Sequence, residues 1–158
     1  PIHPRTKQRL ETFGLMEQLQ QTPNIQLAGP LGYLDFLCLT SQAKVVVTDS
    51  GGLQEESTAL GVPCLTMRHN TERPVTVSEG TSTLIGNSPE VLAEFLQQVI
   101  DGNYKQGKCP ELWDGRAAER IADLVIDRVS RPARQLKNPP TDHQDDSNAG
   151  QETRITTP

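Results

Sequence analysis

The chain has 158 residues, enough for one domain with a sizeable core and few for two. Its formal net charge of −5 excludes the global basic field that draws nucleic acid, and no apolar run approaches the length that spans a membrane. Only 34% of the residues are apolar, and part of that shortfall lies in a polar C-terminal stretch.

Pro1-Ile2-His3-Pro4 reads as the end of a strand already under way. No basic segment followed by an apolar one opens the chain, as a secretory leader would. The first residue is Pro rather than Met, so the expectation is a piece of a longer protein. Thr6 to Phe13 predicts a helix with Leu10 and Phe13 on its apolar side and Gly14 just past its end. Asn24 to Ala28 predicts a short strand. Leu34 to Ser41 predicts a helix with Leu34, Leu37, Cys38 and Leu39 turned inward.

Lys44 to Thr48 holds a continuous apolar run, the pattern of a central strand covered on both faces. A helix from Gly52 to Leu60 follows at once, and Gly61-Val62-Pro63 turns the chain into a strand from Cys64 to Met67. Thr83 to Ile85 predicts another strand. Ser88 as N-cap, Pro89 at the first helical position and Glu90 in the first turn mark a strong helix start. Val91, Leu92, Phe95, Leu96, Val99 and Ile100 then recur at helical spacing until Asp101-Gly102-Asn103 ends the run. A last helix is predicted from Arg116 to about Arg128. Strands alternating with helices through short connections indicate an α/β fold with a parallel sheet. Residues 129–158 carry Pro132, Pro139, Pro140 and Pro158 among polar side chains, with too little apolar surface to offset ordering entropy, and predict a disordered tail.

Cys38, Cys64 and Cys109 are an odd number at wide spacing, which favours neither a disulfide framework nor a zinc site. Cys38 and Cys64 sit among apolar residues and predict reduced core cysteines of a cytoplasmic protein. His3, His69 and His143 show no metal-ligand spacing.

The chemistry concentrates in Val45 to Glu56. Strand, Asp49-Ser50-Gly51-Gly52 turn and helix place unpaired backbone N–H groups and the positive end of a helix dipole at one point. Gly51 and Gly52 let a ligand approach the backbone closely, and phosphate is the natural occupant. Glu56, about one turn further in, is suited to accepting hydrogen bonds from a vicinal diol such as ribose. The same residues also suit a ligand-free strand-to-helix turn, because Ser and Asp are good N-caps and Gly is common in turns. In a parallel sheet, ligands bind at the carboxyl ends of the strands. His3, Gly29 to Tyr33, Asp49 to Gly52 and Arg68 to Arg73 all follow predicted strands, which points to one cleft.

Thr48-Asp49-Ser50-Gly51-Gly52-Leu53-Gln54-Glu55-Glu56, Leu60-Gly61-Val62-Pro63, Met67-Arg68-His69-Asn70-Thr71-Glu72-Arg73-Pro74 and Glu79-Gly80-Thr81 occur in that order. With Pro1-Ile2-His3-Pro4-Arg5-Thr6 and Pro30-Leu31-Gly32-Tyr33-Leu34-Asp35-Phe36, they make the chain resemble the non-hydrolysing UDP-N-acetylglucosamine 2-epimerases from residue 1 to about residue 128. The resemblance implies a partial, Rossmann-like UDP-binding domain over residues 1–128, the C-terminal half of a two-domain GT-B-like fold. It also implies that an N-terminal domain, with this domain's first strand and helix, is missing. The reaction it implies eliminates UDP to give an unsaturated sugar and adds UDP back after inversion at C2. No metal or nicotinamide cofactor is implied, and the full-length parent is expected to be a homodimer.

The resemblance gives Ser50, Gly51 and Gly52 the pyrophosphate and Glu56 the ribose hydroxyls. It turns Arg73 toward the cleft in preference to Arg68; a surface arginine paired with Glu72 or Glu79 is the other reading. His3 becomes a donor to phosphate or sugar, or else only a capping histidine. Tyr33 and Phe36 would form the slot for uracil, with Phe36 as a core residue the alternative. Val75 stands where many members carry Glu, so no carboxylate role is assigned there. Catalytic carboxylates are expected from the missing domain, and none is secure in this chain. Two alternatives remain: the donor-nucleotide domain of a glycosyltransferase of similar fold, and a module that binds a UDP-sugar without turnover.

Overall fold

The structure is a computed structural model and describes residues 1–130. Residues Pro1–Gly115 form one compact unit, and a second begins at Arg116.

His3 caps helix α1 (Pro4–Thr12), whose first residue is a proline already locked near helical φ. Helix α2 (Met16–Gln21) follows, then α3 (Tyr33–Ser41). Strand β1 (Val46–Thr48) leads into α4 (Gly51–Leu60), β2 (Cys64–Thr66), α5 (Pro74–Ser78), β3 (Ser82–Leu84) and α6 (Pro89–Ile100). Among the described residues the strands form one parallel sheet in the order β1-β2-β3, with Val46 opposite Cys64 and Cys64 opposite Ser82. In the second unit α7 (Ala117–Ser130) begins beside a close ion pair, Arg116 Nη2 to Glu119 Oε2 at 2.7 Å.

Three expectations need correction. Asn24 to Ala28 is not a strand: a single backbone bond, Ile2 N to Ala28 O at 2.9 Å, joins this segment to its neighbour, and Asn24 takes a positive φ of 66°. The central strand is β2, which is buried throughout, whereas β1 lies at the sheet edge with Val47 41% exposed. Cys38, Leu34 and Leu39 are exposed, so α3 turns inward through half-buried Phe36 and Leu37 and through buried Thr40. Helices α2 and α5 were not anticipated. Val129 and Ser130 complete α7, and the rest of the predicted tail lies outside the described residues.

The core is small and polar. Cys64, Leu65, Val62 and Ile85 are its buried apolar side chains, accompanied by buried Gln54, Ser57, Thr58, Thr66, Thr76, Thr81 and Ser82. Small side chains allow the backbones to close up. A Cβ on Gly80 would lie 2.5 Å from Thr58 and 2.7 Å from the Thr76 carbonyl oxygen. The segment after α6 then straps the amino ends of the strands. Tyr104 donates to the Thr81 carbonyl at 2.8 Å, and its hydroxyl lies 2.7 Å from Thr83 Oγ1; Phe95 packs edge-on against its ring. Lys105 Nζ donates to the carbonyls of Val77 (2.8 Å) and Ser82, and Lys108 N to that of Glu79 (2.9 Å).

Two outcomes follow from this strap. A Cβ on Gly107 would fall within 2.6 Å of Thr81 N and closer still to the Gly80 carbonyl, both of them backbone. Gly107→Ala is therefore expected to destabilise the chain by about 1–3 kcal/mol, the scale of overpacking, read as a lowered urea midpoint; an unchanged midpoint contradicts the close crossing. Burial pushes the Tyr104 phenol up to about 12 from an ordinary 10.0. The folded state then holds a proton that the unfolded state releases, so stability falls as pH rises from 10.0 through about 12. Tyr104→Phe should cost about 1–2 kcal/mol at neutral pH. The gap between the two proteins should narrow as pH rises from 10.0 through about 12, because only the tyrosine titrates. A gap independent of pH contradicts the burial of the hydroxyl.

Candidate functional site

The end of β1 and the start of α4 build the site. Thr48 Oγ1 accepts the Ser50 N–H at 3.0 Å, which turns the chain sharply out of the strand. Ser50 takes extended backbone angles as N-cap, and its Oγ accepts from Leu53 N at 3.5 Å. That leaves the N–H groups of Gly51 and Gly52 without an intrahelical acceptor, as in any first turn. Neither glycine has a positive φ. A Cβ on Gly51 or Gly52 would meet no heavy atom closer than 4.0 Å. Neither backbone strain nor packing within the chain therefore calls for glycine here, in contrast to Gly107. What glycine leaves is open space at a helix start whose first N–H groups have no helical carbonyl to bond.

A cleft of about 1100 Å³ opens at this turn. Its lining includes His3, Phe36, Asp49, Ser50, Gly52 and Glu56, with Val45 to Val47 of the sheet edge as an apolar wall. Five of the residues singled out from sequence, His3, Phe36, Ser50, Gly52 and Glu56, thus come together, although they arise from three separate segments. Glu56 is half-buried and lies between one and two helical turns from Ser50.

His3 is the N-cap of α1 and also lines the cleft. Its Nδ1 accepts the Arg5 N–H at 3.2 Å and caps α1. An accepting Nδ1 belongs to the neutral ring, so the proton sits on Nε2. The cap thus presents a histidine with Nε2–H as its donor.

Tyr33, Gly51 and Arg73 do not line the cleft. Tyr33 is 64% exposed at the first residue of α3. Arg73 lies beside the α4 start, with its Cγ 4.0 Å from the place of a Gly51 Cβ. Its Nε pairs with Glu55 Oε1 at 2.8 Å, and its Nη1 donates to the Glu72 carbonyl at 3.4 Å. The alternative of a surface arginine paired with Glu72 or Glu79 holds for Arg68, which pairs with Glu72 at 3.6 Å, whereas Arg73 takes Glu55 instead. The glutamates at positions 55 and 56 project about 100° apart on the helix, which sends one to Arg73 and the other to the cleft. Sequence reading overlooked Leu39 and Thr40 of the lining and the buried amide of Gln54. The signal for Gln54 was its spacing with Ser57 and Thr58, an inward face made of polar side chains.

Comparison with known proteins bears on the same residues. Residues 1–126 match the family described as UDP-N-acetylglucosamine 2-epimerase. The UDP-N-acetylglucosamine 2-epimerase of Methanocaldococcus jannaschii is 42% identical over 124 residues, which are 78% of this chain and 33% of that protein. Its counterpart in Methanococcus maripaludis is 40% identical over 126 residues, 80% of this chain and 34% of that protein. The M. jannaschii enzyme solved in complex with UDP-GlcNAc and UDP superposes with a TM-score of 0.67 at 41% identity, over 80% of this chain and 34% of that one. The chain spans about a third of the length of the curated relatives it matches. Matched over most of its length by family, sequence and fold, the chain belongs to the UDP-N-acetylglucosamine 2-epimerase family.

Proposed function

We propose that the chain is the nucleotide-holding part of an enzyme that interconverts UDP-N-acetylglucosamine and UDP-N-acetylmannosamine. The observation that carries this reading is the cleft itself: the α4 N-terminus with Ser50 and Gly52, the capping histidine His3 and the half-buried Glu56 carboxylate line one volume. Ser50 Oγ and the N–H groups of Gly51 and Gly52 take the diphosphate, where the helix dipole favours negative charge. Glu56 accepts hydrogen bonds from the ribose hydroxyls. Phe36, beside Pro30 in the lining, offers the uracil an apolar face. His3 Nε2–H is a further donor to phosphate or sugar. Tyr33 and Arg73 stand outside the cleft in this structure, and a role for either in holding UDP rests on the family likeness alone.

The chemistry that fits such a site is departure and return of UDP. Elimination breaks the bond from C1 to the diphosphate oxygen as a proton leaves C2. Re-addition consumes the C1–C2 double bond: a proton is delivered to C2 on the opposite face and the diphosphate oxygen bonds to C1 again. Charge develops on the diphosphate, and pre-oriented N–H groups stabilise it without reorganising. Holding UDP between the two steps keeps its effective concentration high. The groups that move the C2 proton are assigned to the remaining two-thirds of the enzyme, in a two-domain GT-B-like arrangement. The parent is read as a cytoplasmic homodimer without cofactor.

Glu56→Ala should weaken UDP binding by roughly 1.5–3 kcal/mol, the scale of hydrogen bonds to a charged group. Isothermal calorimetry on the purified chain reads this directly, and an unchanged affinity removes Glu56 from the ribose. The chain by itself should bind UDP-N-acetylglucosamine without turning it over, since only one wall of the cleft is present. Proton NMR of a mixture of the two should show no manno epimer accumulating. Turnover would place the proton-transfer groups within these 158 residues.

A further inference from the structure

Gln54 is fully buried, although it lies in the first turns of α4. Its amide is used at both ends. Nε2 donates to the Ser50 carbonyl at 3.3 Å, which also accepts the Gln54 backbone N–H at 3.3 Å. Oε1 accepts from Thr71 Oγ1 at 2.8 Å and has a longer contact, 3.5 Å, with Thr76 Oγ1, which donates chiefly to the Arg73 carbonyl at 2.7 Å. Thr71 Oγ1 in turn accepts the Arg73 N–H at 3.0 Å. Every bond in this series points the same way: Arg73 N–H to Thr71, Thr71 O–H to Gln54, Gln54 N–H to Ser50.

The last member matters because the Ser50 carbonyl and the Gly51 N–H belong to one trans peptide plane and point in opposite directions. Holding the carbonyl inward aims the N–H outward. Hydrogen bonds aligned head to tail also polarise one another, so the far end of the series is a stronger donor. We propose that Gln54 is a positioning residue for nucleotide binding: it locks the Ser50–Gly51 peptide with its N–H toward the diphosphate and ties that peptide to the Thr71–Arg73 segment at the start of α5. This rests on the UDP reading of the cleft. Leucine at this position would fill similar space but leave the Ser50 carbonyl and the Thr71 hydroxyl without their buried partner.

The test compares UDP with uridine, which lacks the phosphates, on the chain and on Gln54→Leu, Thr71→Val and Thr71→Ser. Gln54→Leu and Thr71→Val should weaken UDP on the order of three- to tenfold while uridine stays within about twofold, and Thr71→Ser, which keeps the hydroxyl, should match the parent. Equal losses for both ligands, or an unchanged UDP affinity, overturn the proposal. If Gln54→Leu does not fold, Thr71→Val carries the same comparison, because Thr71 is only half-buried. A second arm needs no ligand. In Thr71→Val the Arg73 amide should lose hydrogen-exchange protection and the Gly51 amide proton should move upfield. If the parent chain binds no UDP, the nucleotide reading falls and this arm alone decides the coupling: unmoved Gly51 and Arg73 amides overturn it.

Discussion

The orientation of one peptide unit, Ser50–Gly51, governs what the carboxyl end of the sheet can do. Reversed, it would present a carbonyl to the cleft and repel an anion. Four bonds hold it: Thr48 Oγ1 on the Ser50 N–H, Ser50 Oγ on Leu53 N, and the Gln54 backbone and side chain on the Ser50 carbonyl. None of these depends on apolar burial, and so the turn can face an open cleft and remain ordered. The absence of side chains at positions 51 and 52 leaves the space that the protein does not fill.

Opposite ends of the short sheet have different tasks. At the carboxyl end, β1 opens onto the cleft. At the amino ends of β2 and β3, Tyr104, Lys105 and Gly107 close the backbone down with hydrogen bonds to carbonyls and a contact that no side chain fits. Burial holds the Lys105 ammonium below its ordinary range, and the Val77 and Ser82 carbonyls compensate the charge. Three-residue strands and a core of threonine, serine and a few aliphatic side chains give modest hydrophobic stabilisation. The strap supplies part of what the core lacks. Ser57, Thr81 and Ser82 nevertheless keep buried hydroxyls with no partner among the described residues, a sign that backbone approach was favoured over side-chain satisfaction in this layer.

Much of this was legible in the sequence where local chemistry decides structure. Ser88-Pro89 capped α6 where expected, and the Asp49–Gly52 turn joined β1 to α4. The motifs around Ser50 and Arg73 indicated the family. Failures came where tertiary context decides. Lys44 to Thr48 read as a central strand because its apolar run is continuous, yet Val47 faces the cleft side of an edge strand. Cys38 and Leu34 looked inward by composition, but α3 meets its neighbours through Phe36, Leu37 and Thr40. Helix α5 is five residues long, below the length at which periodicity speaks, and starts from Pro74 after a loop read only for its arginines. Gln54 was invisible because a glutamine on a helix ordinarily faces water. Arg73 and Glu56 show the limit of motif reading: the motif names both, and only the fold shows Arg73 bound to Glu55 and Glu56 lining the cleft.

The account depends most on the claim that the first turn of α4 receives a diphosphate. Titrating the isotopically labelled chain with UDP and following backbone amide resonances tests it most directly. Saturable downfield shifts, largest at Ser50 to Leu53 and absent with uridine at the same positions, are the predicted result. Amides of that turn that stay in place while UDP binds, or shifts concentrated instead around Tyr104 to Gly107, would contradict it.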